Sequence, residues 1–220
     1  MVSRNLITRA AGRLAVSSLL LILYCTVAIP VQAYAKGDSE HLPSLNTFIE
    51  SVKDGKAGVI RGVYIPNVMA YAVTQQPAGK PGFVSTEAAV TTQFSMAAEA
   101  GNIGLLAHNT LAGRSFSSII HGDKIILIYG DGRAEDFMVE TILLYQALDP
   151  LSPYGQFKDL GTQKTLSTEE LFNKVYRGEY HVTLQTCIEN DGNISWGRLF
   201  VIAEPIVEEE IPLEDRIFAR

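Results

Sequence analysis

From Val59 to Ala203 the apolar residues come in short runs, each closed off by Gly, Pro, Asp or Asn, and that rhythm limits the fold more than any other feature. Runs of this length are too short for ordinary helices and match half-buried strands between turns. VIRGVYIP from Val59 and VMAYAV from Val68 read as two strands before the turn-rich stretch Gln75 to Gly82. Ser85 to Glu99, rich in Ala and Met, reads as a helix. Strands follow at Ile103 to Ala107, Lys124 to Tyr129 and Asp136 to Tyr145, with a helical turn near Phe116 to Ile120. The tripeptide Gly130, Asp131, Gly132 marks a tight hairpin between the last two strands. Residues 146 to 166 read as a long loop. Ser167 with Glu170 forms a capping box, and Leu171, Phe172, Val175 and Tyr176 share one helical face before Gly178. His181 to Cys187 and Arg198 to Ala203 close the body as strands. Seven or eight strands with one or two short helices, and no strict strand and helix alternation, predict a mainly β fold with a closed or nearly closed barrel.

The start of the chain sets its compartment. Arg4, Arg9 and Arg13 precede 18 uncharged residues from Leu14 to Val31, and Ala33 and Ala35 then stand at alternate positions. This is the order of an export signal, and the apolar run is also long enough for a membrane anchor with its N-terminus inside. Residues 1–35 are therefore expected to be a signal peptide or an anchor. Residues 36–56 are expected to be a linker with one short helix, residues 57–207 the barrel, and residues 208–220 an acidic tail. Both readings of the start place the body outside the cytoplasm. Without the three arginines, 15 basic side chains face 24 acidic ones, a poor surface for phosphate backbones, so nucleic acid is not an expected partner.

Cysteine usage narrows the chemistry. Cys25 lies in the export segment, so the exported body carries Cys187 alone and forms no internal disulfide. An unpaired thiol in an oxidising compartment is either buried or used. With a period of two, Val182, Leu184 and Thr186 share one face of their strand while Thr183, Gln185 and Cys187 share the other, more polar one. A strand end on a polar face suits an accessible thiol, and a nearby cation makes a thiol nucleophilic. Arg198, 11 residues on, opens the next strand and can lie across from Cys187, joined through a loop of about ten residues; it also fits a plain edge charge. Of the four histidines, His41 lies in the linker, His121 in a turn and His181 at the start of the cysteine strand. His108 ends the apolar strand Ile103 to Ala107 as a polar group at a rim.

The stretch Thr183, Leu184, Gln185, Thr186, Cys187 with Arg198, together with Leu106, Ala107, His108, Asn109, Phe116, Gly122 and Asp123, resembles the sortases, exported bacterial cysteine transpeptidases. The resemblance runs from about Val59 to Pro205, and Ala107 stands where many sortases have Gly. It implies a sortase-like closed eight-stranded barrel, with Cys187 as nucleophile, His108 as general acid and base, and Arg198 as the group that positions substrate or stabilises an oxyanion. It further implies a peptide sorting signal as substrate, an amine of the cell wall or of another surface protein as acceptor, and contact with the membrane through the N-terminal segment if that segment stays uncleaved. A sortase-fold hydrolase and an inactive barrel serving as a binding or scaffold module are the alternatives. Nothing in the sequence calls for a cofactor, and Asp149, Asp159, Glu169 and Glu170 lack the spacing of a calcium loop.

Overall fold

The sheet closes on itself. The computed structural model describes residues 42–152 and 154–207 and the backbone of residues 34–35. Eleven strands form one sheet: β1 (Tyr34–Ala35), β2 (Ile60–Ile65), β3 (Met69–Gln75), β4 (Val90–Gln93), β5 (Ile103–Leu106), β6 (Lys124–Tyr129), β7 (Ala134–Ala147), β8 (Gln156–Asp159), β9 (Thr165–Ser167), β10 (Val182–Asn190) and β11 (Asn193–Pro205). Eight of them close a ring in the order β11, β10, β5, β4, β3, β2, β6, β7, because β7 pairs back onto β11 over Phe137 to Gln146. Closure leaves these strands without a free edge, which is the usual remedy for the aggregation hazard of open sheets. The pairs β3–β4 and β5–β10 are parallel, and the other pairs in the ring are antiparallel. The mainly β, closed eight-stranded barrel that the sequence reading expects is the fold observed.

Alternation along each strand fills the interior. Val63, Ile65, Met69, Tyr71, Leu105, Ile125, Leu127, Phe137, Val139, Leu184 and Val201 are buried in one cluster inside the ring. Two patches outside it are covered by helices. Helix α1 (Leu45–Val52), capped by Ser44, packs Phe48 and Val52 on Ala70, Ile126 and Ile128. Gly62 lies beneath it, where a Cβ would stand 2.9 Å from Phe48 Cε1. The second half of the expected linker 36–56 is thus no free connector, because its helix buries two apolar side chains on the barrel. Helix α3 (Thr168–Tyr176) starts at the Ser167/Glu170 capping box and buries Leu171, Val175 and Tyr176 against Tyr145 and Phe200.

Other expectations are corrected. Ser85 to Glu99 is not one helix: β4 takes Val90–Gln93, where buried Thr91 and Thr92 suit a pleated surface, and only Ser95–Glu99 forms a helix, α2. The expected loop 146–166 contains β8 and β9, which extend the sheet beyond the ring. The connection between β10 and β11 is a two-residue turn rather than a ten-residue loop, with Asp191 at φ 50° and Gly192 at φ 80°. The expected helical turn is a 3-10 segment, Ala112–Ser118. The expected export segment (but for the backbone of 34–35) and the acidic tail lie outside the described residues. Among those described, no helix is long and apolar enough to cross a membrane.

Candidate active site

Cys187 and Arg198 are direct cross-strand partners on β10 and β11. Their neighbours Leu184, Thr186, Leu199 and Val201 alternate to the inside, where Leu184 pairs with Val201 and Thr186 with Leu199. Cys187 and Arg198 therefore share the outer face, with Gln185 and Phe200 beside them. The expected polar-face placement of the thiol holds in the structure, and Cys187 is half-buried.

His108 follows the strand on the other flank of β10. The parallel β5–β10 pair runs in register from Val182 with Ile103 to Gln185 with Leu106. Beyond it, the Ala107 backbone N–H donates to Gln185 O at 3.1 Å, and the Thr186 hydroxyl donates to Ala107 O at 2.8 Å. These two bonds carry the pairing past the end of β5. His108 and Cys187 each stand two residues beyond the Leu106–Gln185 pair, on adjacent segments of chain. Gly113 packs against this corner: a Cβ there would overlap Thr186 Oγ1 and stand 2.8 Å from Ala107 O and 2.9 Å from His108 O. The backbone of the 3-10 segment thereby clamps the strand end that carries the histidine.

The other histidines are engaged elsewhere or outside the described residues. His121 is exposed and faces Glu140 at 3.4 Å. His181 is buried with its ring nitrogens 2.7 Å from Glu179 O and 3.0 Å from Val175 O, a structural tie between β10 and α3. His41 lies outside the described residues. The His108 ring makes no hydrogen bond to any described residue.

Arg198 is held but not saturated. Its Nη1 donates to Ser195 O at 3.0 Å and Gly197 O at 2.8 Å, and its guanidinium lies 5.9 Å from the Phe157 ring centroid. Nη2 and Nε donate to no described residue. The same row continues through Tyr145, opposite Arg198, to Asp159. The Asp159 carboxylate accepts from the Thr162 and Gly161 backbone N–H groups at 2.9 Å each and pairs with Lys174 at 3.3 Å. Those bonds lower its pKa to about 2. Asp159 is thus consumed in fixing the β8–β9 turn and α3, and among the described residues no three His, Cys, Asp or Glu side chains cluster as a metal site.

Two cavities flank the pair. On the Cys187 side an open cleft of about 560 Å³ enters the end of the barrel between the loop at 109–119 and β7. On the Arg198 side a pocket of about 170 Å³ lies under α3 among Phe94, Phe157, Phe172, Tyr176 and Phe200. Gln185 lines the smaller pocket, and its Oε1 accepts from the Tyr176 hydroxyl at 2.5 Å. The sequence reading missed this pocket, since its walls come from β8, α3 and β11 and meet only in the folded chain.

No protein-family model matches the chain, and no curated protein does. Solved structures do match. Sortase C1 of GBS pilus island 1 is similar at 18% identity and a TM-score of 0.42, over 68% of this chain and 66% of that one. Sortase A of Listeria monocytogenes is similar at 14% identity and a TM-score of 0.43, over 76% of this chain and 99% of that one. Both are sortases. The pilus-related sortase C of Group B Streptococcus, at 12% identity, 0.44, and 72% and 71% coverage, is a third.

Proposed function

We propose that this chain is a sortase-like cysteine transpeptidase acting outside the cytoplasm, with Cys187 as nucleophile, His108 as general acid and base and Arg198 as oxyanion or substrate-positioning donor. The observation that supports the reading is the register that sets Cys187 opposite Arg198, with His108 two residues past the strand paired on the other side of β10.

In this reading the Cys187 sulfur attacks a backbone carbonyl carbon of a peptide sorting signal, the carbonyl electrons move onto oxygen, and the free N–H groups of Arg198 donate to it. Collapse breaks the peptide C–N bond, and the leaving nitrogen takes its proton from the His108 imidazolium. Neutral His108 then accepts a proton from the incoming amine as that amine displaces the sulfur. Arg198 stays cationic at every working pH, so its part does not switch off. The protein would meet its substrates at the cell surface, through an N-terminal segment that anchors it or has been cleaved.

Mass spectrometry of the protein incubated with Leu-Pro-x-Thr-Gly-like peptides and an amine, beside Cys187→Ala, tests the reading. A thioacyl adduct on Cys187 and an amine-ligated peptide are expected. Adduct with hydrolysed peptide alone would make the protein a hydrolase. An unmodified thiol under all peptides, with no cleavage, would leave a different sorting motif or the binding-module alternative, and a readily alkylated Cys187 would favour the former. Arg198→Ala is expected to lose about 3 to 4 kcal/mol of transition-state stabilisation, at least about a hundredfold in rate.

A further inference from the structure

The proposed acid and base has no side chain to orient it. Among the described residues nothing bonds to the His108 ring, whereas an imidazole that moves protons is ordinarily aimed by a bond to its second nitrogen. What fixes the residue is backbone. Its carbonyl oxygen accepts from the Leu111 N–H at 2.9 Å and the Gly113 N–H at 3.0 Å, and before it Ala107 O accepts from the Thr186 hydroxyl. The residue after it reaches further: Asn109 Nδ2 donates to Ile194 O at 2.8 Å, across 85 positions of sequence.

Ile194 belongs to a stretch of β11 with a second task. Pairing with β7 begins only at Gly197, opposite Gln146, so Ile194 to Trp196 run past the end of that partner. The carbonyls of this stretch receive side chains instead. Ile194 O takes Asn109, while Ser195 O and Gly197 O take Arg198 Nη1 at 3.0 and 2.8 Å. One short length of backbone therefore ties down both the segment that carries His108 and the guanidinium of Arg198.

We propose that Asn109 is a positioning residue that sets His108 relative to Arg198. This rests on the transpeptidase reading above. There the two groups act on different atoms bound to one carbonyl carbon, Arg198 on the oxygen and His108 on the departing nitrogen. Both must fit a single transition state, so the offset between them matters more than the place of either, and the Asn109 bond to Ile194 holds that offset. Asn109 itself touches no reacting atom. Without its amide the segment after His108 is released from β11 while the bonds to the His108 carbonyl remain, so the fold persists and proton delivery worsens.

The test uses the full-length protein in detergent, Asn109→Leu, His108→Ala and the double substitution, with two acetyl esters as acylating probes. The readout is the rate at which acetylated Cys187 accumulates, followed by mass spectrometry. Transfer forms the Cys187 S–C bond and breaks the ester C–O bond. Trifluoroethoxide needs the His108 proton as it leaves, and p-nitrophenolate leaves without one. Asn109→Leu is expected to slow acetylation by trifluoroethyl acetate about tenfold, the rate equivalent of one net hydrogen bond, and by p-nitrophenyl acetate less than about twofold. In the His108→Ala protein, Asn109→Leu is expected to add no loss with either ester. An equal loss with both esters, a loss that persists without His108, or no loss at all overturns the positioning role, since a merely loosened fold would act alike in every arm. Absence of acetyl on Cys187 in the unsubstituted protein, or a His108→Ala protein as fast as the unsubstituted one with trifluoroethyl acetate, overturns the enzyme reading and this role with it, so the two failures are distinct.

Discussion

Gly113→Ala probes the link between packing and chemistry most directly. The added methyl would meet three atoms: Thr186 Oγ1, which it overlaps, Ala107 O at 2.8 Å and His108 O at 2.9 Å. Real Cβ atoms do not approach heavy atoms this closely, so the neighbours must move. The threonine hydroxyl could rotate away only by giving up its 2.8 Å bond to Ala107 O. The other two atoms are backbone, and they belong to the segment that carries His108. Relief therefore shifts the 3-10 segment or the His108 corner by a few tenths of an ångström to about 1 Å. Overpacking of this kind costs about 1 to 3 kcal/mol of stability. A misplacement of about 1 Å in a reacting pair costs on the order of a hundredfold in rate. The expected result is a folded protein with a lowered Tm and a loss of acyl transfer much larger than its loss of stability at the assay temperature. Calorimetry paired with the rate of thioacyl formation measures both. Unchanged rate and Tm would refute the clamp, and a lowered Tm with full activity would refute its role in placing the histidine.

Further expectations concern the elements around the site. Thr186→Val removes the side-chain bond that extends the β5–β10 pairing past Leu106; a loss of about 1 to 3 kcal/mol by denaturant titration is expected, with a fall in acyl transfer. Phe48→Ala should cost about 3 to 5 kcal/mol, because Phe48 is 1% exposed on the barrel wall, and a cost under 1 kcal/mol would show α1 to be dispensable. Asp159 has its pKa depressed from 3.8 to about 2, so its contribution is fully present above the unfolded value and lost as pH falls through the folded one. The Tm difference between the protein and Asp159→Asn should hold from pH 7 to about 4 and shrink towards pH 2. A difference independent of pH would exclude the carboxylate's ionic bonds as its source.

Elements whose signals are local were legible in the sequence. Ser167 and Glu170 form the expected capping box, and Gly132, at φ 89°, sits in the expected hairpin between β6 and β7. Elements that exist only because a partner strand awaits them were not. Gln156–Asp159 is a polar stretch with no strand-like run, and it becomes β8 because the edge of β7 beyond Tyr145 is vacant and Asp159 ties the following turn. Val90–Gln93 lay hidden between Ala-rich flanks, although its two threonines argued for a strand. The Asp191–Gly192 hairpin signal stood in the open, and the connection was overlong only because β10 and β11 run further than their apolar cores.

The site shows the same division one level up. Strand period alone places Cys187 opposite the apolar face, and the antiparallel return of the chain brings Arg198 to it. His108 is 79 residues away in sequence, and its approach depends on a parallel pairing that no local pattern encodes. Only the resemblance to a known family could nominate it ahead of His121 and His181; in the structure His121 faces a carboxylate on the surface, and His181 has both ring nitrogens against backbone carbonyls. The two cavities follow from the same topology. Strand β11 carries Arg198 and Phe200 outward to the pocket under α3, and Leu199 inward to the open barrel end, so one strand separates the two spaces. Cys187 lines the space at the barrel end, and its cross-strand partner Arg198 lines the pocket under α3.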